Sequence, residues 1–284
     1  MRINTNISSL VSRESSTNNN AKLTLSLEKL SSGLKINKAS DNASGLSIAD
    51  KLRTQASGLG TAISNTNSAI ALTQIADKAM GEQSNIIDII KSKLIQASTA
   101  TTSAEGRESI RKEVGKLLEQ MDNIAIQTTY NGVQLLQDGA VKDGVAKATD
   151  LSFQVGDQSA NVILVGKDIQ SNSKGLGLDA LRDLAANGLT DTEAKDNLAT
   201  LDSALTKLNG WRADYGSTQN QLESANRNLL TQVTNIKAAE SIIRDVDYAE
   251  ETANFNRFNI ISQAGSFAIS QSNSIQQNIL RLLQ

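Results

Sequence analysis

Near the N-terminus, apolar positions recur at Leu23, Leu27, Leu30 and Leu34, in steps of four and three. Near the C-terminus, Phe258, Ile261, Gly265, Ala268, Ser272, Ile275, Ile279 and Leu282 alternate three and four without a break. This spacing lays a narrow apolar stripe along an α-helix and fits a coiled-coil seam. A lone helix cannot cover its own stripe, and marginal isolated helices fray in water. Both ends therefore need partners, which are expected to be each other and other copies of the chain.

The same pattern divides the rest of the chain into helices. A first helix is predicted over about Asn4 to Ser32, stopped where Gly33 can take the left-handed C′ conformation. Leu34 to Ser40 reads as a connector, after which Asp41 or Asn42 can cap the next helix. That helix keeps the three-four spacing through Ala49, Leu52, Ala56, Leu59 and Ile63, then Ala69, Leu72, Ala76, Ala79, Gln83, Ile86 and Ile90. From Ala43 to about Ala97 it would span roughly 80 Å at 1.5 Å per residue. A turn at Thr99 to Ser103 follows, with Thr102 and Glu105 in capping-box spacing. A third helix, striped by Ile110, Val114, Leu117, Met121 and Ile124, returns antiparallel to the second. Asn131-Gly132 supplies turn chemistry at its end.

In the middle the period changes. Leu151, Phe153 and Val155 alternate with polar residues, and Asn161 to Val165 is a second apolar run, predicting a small β-hairpin over 151–165. A short helix is expected from Leu178 to Ala186. Thr190 with Glu193 opens a long returning helix, striped by Ala194, Leu198, Leu201, Leu205 and Leu208. Its stripe continues through Leu222, Leu229, Val233, Ile236 and Ile243. Gly210 and Gly216 bend it at most, and the single Trp211 reads as packing. The fold class is mainly α: long antiparallel helices and a terminal coiled coil, with a small β-hairpin in the middle.

Composition narrows the chemistry. The chain has 284 residues, 39% of them hydrophobic and 3% aromatic, so any core is built from Leu, Ile, Val and Ala. There are no Pro, Cys or His residues, whereas average usage would give about 14 Pro. Proline breaks helix interiors, so its absence suits long helices. It also removes slow X-Pro isomerisation, which would help a chain that refolds at its destination. Without Cys or His there is no disulfide, thiolate nucleophile, zinc-thiolate site or Ser-His-Asp triad. No catalytic, cofactor-binding or metal residues are assigned, and the chain is read as a non-enzyme. A formal net charge of -2 attracts neither nucleic acid nor an anionic membrane. No secretory signal or membrane span is read, and by those tests alone the chain is expected to be cytosolic.

Asp245, Asp247, Glu250 and Glu251 form an acidic cluster. A solvated helix face, with Arg244 paired to Glu240 at i,i+4, is the preferred reading over a cation site. Asn6-Ile7-Ser8 and Asn42-Ala43-Ser44 fit a short glycosylation pattern that arises by chance in an Asn- and Ser-rich chain.

Several blocks resemble bacterial flagellin. The opening Arg2-Ile3-Asn4-Thr5-Asn6 is similar to that family's start. Leu30-Ser31-Ser32-Gly33-Leu34-Lys35-Ile36-Asn37 and Asp41-Asn42-Ala43-Ser44-Gly45-Leu46-Ser47-Ile48-Ala49 follow in the family's order. Tyr130-Asn131-Gly132, Leu151 to Gly156, Glu240 to Asp247 and Gln276 to Leu283 resemble further blocks. The resemblance covers roughly 1–165 and 190–284.

It implies a structural subunit that polymerises in many copies into an extracellular bacterial flagellar filament for swimming. Residues 1–42 with 245–284 would form the inner filament-core domain. Residues 43–244 would form the outer one, with large variable outer domains missing. The row Leu23, Leu27, Leu30, Leu34, Phe258, Ile261, Ala268, Ile275, Ile279 and Leu282 would be the polymerisation seam. Implied partners are an export chaperone, the filament cap and hook-associated proteins, with unfolded passage through a type III apparatus and termini that order on assembly. No cofactor is implied.

One segment departs from the family. Many flagellins carry Arg-Glu-Leu on the second helix, read by an innate immune receptor of animals. Lys91, Ser92 and Lys93 stand there instead, and Ile89 falls where another Arg is common. Losing a bidentate guanidinium and reversing a charge predicts weak receptor recognition. The competing expectations are a hook-associated junction protein with flagellin-like ends, a surface adhesin and, last, an enzyme.

Overall fold

A computed structural model describes residues 5–137, 151–158, 161–166, 169–184 and 188–282; for 279–282 only the backbone is described. The architecture is mainly α, as the periodicity predicts. In order it comprises α1 (Ile7–Ser32), α2 (Ala43–Ala97), α3 (Ala104–Gln127), β1 (Thr129–Tyr130), β2 (Val133–Gln134), β3 (Leu151–Gln154) and β4 (Val162–Val165). The short helices α4 (Ser173–Leu176) and α5 (Asp179–Arg182) and the long helices α6 (Asp191–Arg244) and α7 (Tyr248–Leu282) complete it. The chain packs as two compact units, one of 1–56 with 234–284 and one of 57–233.

These packing boundaries lie deeper in the long helices than the breaks at 42 and 245 suggest. The first turns of α2 pack with the connector before them. Ile36 is buried, and its Cδ1 comes within 2.7 Å of where a Cβ on Gly45 would sit. Ala49 is fully covered, and Asp50 lies 4.0 Å from the Arg244 guanidinium.

In the first unit, Asn6 caps α1 by accepting from the Ser9 N–H. Gly33 ends α1 at φ 73° and donates to the Lys29 carbonyl. The positive φ favours glycine at this position, and a Cβ there would also displace the Tyr248 hydroxyl, which lies 2.9 Å from it. Leu34 has left the helix and forms a β-bridge with Asp245. Lys35 N–H donates to the Arg244 carbonyl at 2.6 Å, and Val246 N–H to that of Gly33 at 3.1 Å. Asp247 starts α7 by accepting from the Ala249 and Glu250 amides.

Asn42 caps α2 through Gly45 N–H, leaving Asp41 another task. Its Oδ2 accepts from the Asn37 and Lys38 amides at 3.0 and 2.9 Å. Those bonds, that from Lys38 first, hold the Asp41 carboxyl below its ordinary value of 3.8. A depressed carboxylate stabilises the fold above its unfolded pKa, and that contribution is lost as pH falls through the folded pKa. The connector amides of Asn37 and Lys38 are expected to hold their chemical shifts until the pH is below the usual carboxylate range. Asp41→Asn should abolish this acid transition; an NMR titration in which it persists would contradict the assignment.

In the second unit α3 runs antiparallel to α2, shown by Lys93 paired with Glu113 and Gln83 donating to the Met121 carbonyl. Ser103, not Thr102, caps α3: its side chain accepts from Gly106 N–H, while the Thr102 hydroxyl donates back to the Gln96 carbonyl. The two adjacent hydroxyls are interchangeable by spacing, and the tight turn decides between them. The buried face of α3 is Ile110, Val114, Leu118, Met121, Asp122 and Ala125, with Leu117 and Ile124 at its margin. Asn131 at φ 50° and Gly132 at φ 81° close the β1–β2 hairpin, the backbone that two-residue Asn-Gly turns favour.

The second hairpin pairs Leu151 with Val165 and Gln154 with Val162. Ile163 and Val165 turn into the core while Val162 and Leu164 face out. Of the helix expected over 178–186 the short α5 is present, a further one-turn helix, α4, precedes it, and residues 185–186 lie outside the described residues. Gly177 at φ 81° separates α4 from α5. The buried Asp122 carboxylate holds α4, accepting from Ser173 N–H at 2.6 Å and Ser173 hydroxyl at 2.9 Å. Thr190 accepts from Glu193 N–H at the start of α6. This helix runs unbroken through Gly210 and Gly216, antiparallel to α2 through the pairs Asp77–Arg212 and Lys91–Asp202. Trp211 packs against the core.

Candidate assembly surface

Within the first unit α1 and α7 lie antiparallel, Asn6 beside Ser272, Asn19 beside Phe258 and Ser26 beside Glu251. On α1 the covered or half-covered row is Ser9, Ser12, Ser16, Asn19, Leu23, Ser26 and Leu30. On α7 it is Glu251, Phe255, Phe258, Ser262, Gly265, Ile269, Ser272 and Gln276. Both rows step by three and four, as a two-helix seam requires. Their composition is the reverse of a usual seam, with serines and an asparagine inside.

Beside Leu23, Leu30, Phe255, Phe258 and Ile269 in those rows, many large apolar side chains are turned outward. Ile7, Leu10, Val11, Leu25 and Leu27 are exposed on α1, as are Ile260, Ile261, Phe267 and Ile275 on α7. Phe267 is 72% exposed and Ile260 67%. Beside Phe267 lies a groove of about 530 Å³, lined by Asn6, Ser8, Ala268, Ser272 and Ile275 among others. A smaller one, about 250 Å³, runs past Lys22, Leu25, Lys29, Arg257 and Phe258. The Arg257 guanidinium stands 5.2 Å from the Phe258 ring centroid, within cation–π range. So much exposed apolar surface on one helix pair is what interaction surfaces carry.

The residues singled out by periodicity divide between the two sides. Leu23, Leu30 and Phe258 are half-covered in the α1–α7 seam, and Leu34 lies beyond the helix end. Leu27, Ile261, Ala268 and Ile275 are exposed. The side chains of Ile279 and Leu282 lie outside the described residues. Sequence reasoning passed over Ile7, Leu10, Val11, Leu25, Ile260 and Phe267. Apolar residues are spread around α1 and α7 and form no single stripe, and heptad spacing of Ile260 with Phe267 was the signal available.

On α2, Ile89 and Ser92 are exposed. The two lysines of that segment are engaged: Lys91 with Asp202 of α6, and Lys93 with Glu113 of α3 at 2.8 Å. They clamp α2 to both neighbouring helices. Arg244 does pair with Glu240, at 4.0 Å. No helix among the described residues is long and apolar enough to cross a membrane.

Two family models match the chain. Residues 3–140 match the bacterial flagellin N-terminal helical region, and residues 198–283 match the C-terminal helical region. A flagellin of Bacillus subtilis is 35% identical, with all of both chains covered. A flagellar filament 33 kDa core protein of Treponema phagedenis is 33% identical, again over all of both chains. The crystal structure of Bacillus cereus flagellin is similar at a TM-score of 0.50 and 29% identity, covering 62% of this chain and 94% of that one.

Proposed function

This chain belongs to the bacterial flagellin family and is a structural filament subunit, and we propose that its copies join through the apolar rows that α1 and α7 turn outward. The observation that carries this reading is how much large apolar side chain the terminal helix pair leaves uncovered. Its seam mixes serines, an asparagine and a glycine with Leu23, Leu30, Phe255, Phe258 and Ile269, while Ile7, Leu10, Val11, Leu27, Ile260, Ile261, Phe267 and Ile275 are left in water. At about 25 cal/mol per Å² of apolar surface removed from water, covering such rows on every copy drives association. The rows meant are Leu27, Ile261, Ala268 and Ile275 with Ile7, Leu10, Val11, Ile260 and Phe267; in the sequence Ile279 and Leu282 keep the same three-four spacing. Leu23, Leu30 and Phe258 support them from within the pair.

In this reading residues 1–42 with 245–284 line the inner part of an extracellular filament, and 43–244 form its outer part. The family is structural, and among the described residues no group of three or more Asp or Glu side chains is placed to hold a metal ion. An export chaperone, a filament cap and hook-associated proteins complete the set of partners. The alternative of a hook-associated junction protein draws less support. Full-length relatives carry the names flagellin and filament core protein, and the N-terminal model continues through α2 and α3.

Deleting residues 1–10 or 275–284 tests the reading. Seeded with filament fragments, the truncated chains are expected to stay monomeric while the unit 57–233 melts as before. Long tubes grown from either truncated chain, seen by electron microscopy, would overturn it.

Weak innate immune recognition is part of the same proposal. Lys91 and Lys93 are spent on ion pairs within the chain, and no guanidinium or carboxylate stands at 91–93. A reporter-cell assay is expected to show little activation by monomer; potent activation would refute this.

A further inference from the structure

The α1–α7 seam raises a question of register. Ser16 faces Gly265, and small residues recur along the two rows, at Ser9, Ser12, Ser16 and Ser26 on α1 and at Ser262, Gly265 and Ser272 on α7. A slide by one heptad, about 10 Å at 1.5 Å per residue, would set Ser16 against Ser272 in place of Gly265, again small against small. At that position size alone does not choose the register. The outward apolar residues depend on the answer. One heptad of slip moves Ile7, Leu10 and Val11 by that distance past Phe267 and Ile275, and no two copies would present the same composite surface.

We propose that Asn19 and Asn20, clasped to the Phe258–Ser262 turn of α7, are positioning residues that fix the register of the terminal helix pair. Asn19 is 7% exposed, and its Nδ2 donates to the Phe258 carbonyl at 2.8 Å. One residue on, the Ser262 hydroxyl donates to Asn20 Oδ1 at 2.8 Å. Backbone carbonyls recur in every register, so the first bond alone would not discriminate. The second does, because a heptad either side of Ser262 stand Phe255 and Ile269. Neither can donate to Asn20, and each would bring a large apolar group against the Asn19 amide. The Asn20–Ser262 bond is exposed, so what depresses a slipped register about tenfold or more is the packing of Phe255 or Ile269 against the buried Asn19 amide. A polar residue at a seam position that trades stability for register is an established device of coiled coils. A second clasp agrees with this one: Asn6 donates to the Ser272 carbonyl at 3.3 Å, and the Ser272 hydroxyl lies 3.4 Å from Asn6 Oδ1.

This inference rests on the proposal that the helix pair is the assembling part of the chain, and it is tested inside filaments. The chain has no cysteine, so introduced pairs report without background. A Cβ on Gly265 would lie 3.7 Å from that of Ser16, inside the range disulfides adopt. Ser16→Cys with Gly265→Cys therefore reports the native register, and Ser16→Cys with Ser272→Cys a one-heptad slip. Each reporter is copolymerised as a minor fraction with the unmodified chain and exposed to a mild oxidant. With Asn19 and Ser262 intact, the first pair is expected to close almost completely and the second hardly at all. Adding Asn19→Leu and Ser262→Ile makes both rows more uniformly apolar. Helix stability should hold or rise, while the slip reporter closes at least about tenfold more than before. Ser262→Thr, β-branched like Ile but keeping the hydroxyl, should keep the native pattern.

A purely structural role for these residues would lower helix stability without moving the disulfide partition, and that result overturns the proposal. So does exclusive closure of the native reporter in the Leu/Ile variant. Failure of the unmodified chain to form tubes would strike at the assembly reading instead, so the two failures are distinguishable.

Discussion

Chains carrying Phe267→Asp are expected to stop elongating filaments at concentrations where the unmodified chain grows. Phe267 is largely in water in the single chain and lines the larger groove of the terminal helix pair, so its removal takes little from the monomer. In a filament its ring would be covered. Covering most of a phenylalanine contributes about 2 kcal/mol, and an unpaired carboxylate buried in its place adds a desolvation penalty. Each 1.4 kcal/mol is about tenfold in an association constant, so the critical concentration should rise about 100-fold or more. Phe267→Leu should recover most of the growth. Sedimentation of seeded reactions measures both, with circular dichroism of the monomer as control. Unchanged elongation by the Asp variant would mean that this face stays wet in the polymer.

The second large effect lies in the other unit. Leu118→Ala should destabilise residues 57–233 by about 3 kcal/mol. Leu118 is fully buried on α3, in the core it shares with Leu94 of α2 and Leu201 and Leu208 of α6. Truncation removes both the transfer energy of the side chain and the contacts of the atoms around it. For a unit of this size the melting temperature should fall by about 6–12 °C. Calorimetry would show it, and a loss below about 1 kcal/mol would mean that α3 repacks to fill the space. The contrast between the variants is informative. The core variant weakens the monomer, whereas the surface variant weakens only what copies do together.

Much of the second unit was legible in the chain. Its helices carry capping side chains and apolar stripes that need only local rules, and Asn131-Gly132 and the alternation at Leu151 to Val155 announce their turns and strands. Where reading by spacing slipped, neighbours of like chemistry were in competition. Thr102 and Ser103 both offer a hydroxyl, and Leu117 and Leu118 both offer a leucine, so the bend of the turn and the rotation of α3 chose between them. The single turn α4 was not legible, because the group that holds Ser173 is Asp122, far off in the chain.

The terminal helices show the limit more sharply. Sequence by itself determined that both ends are helical, over about Asn4 to Ser32 and along the stripe from Phe258 to Leu282, unbroken by proline and in need of partners. It could not say which row faces inward. Two adjacent rows run along α7, one through Phe258, Ser262, Gly265 and Ile269 in steps of four and three, the other through Ile261, Ala268 and Ile275 in steps of seven. The stripe expected from spacing crossed both, taking Phe258, Gly265 and Ser272 from the covered row and Ile261, Ala268 and Ile275 from the exposed one. Only the tertiary structure turned the serines and Asn19 inside, because side chains this small let two helices come close enough for amides and hydroxyls to reach the opposite backbone. Apolar content records the cover a face will finally receive, and for this chain part of that cover belongs to other copies.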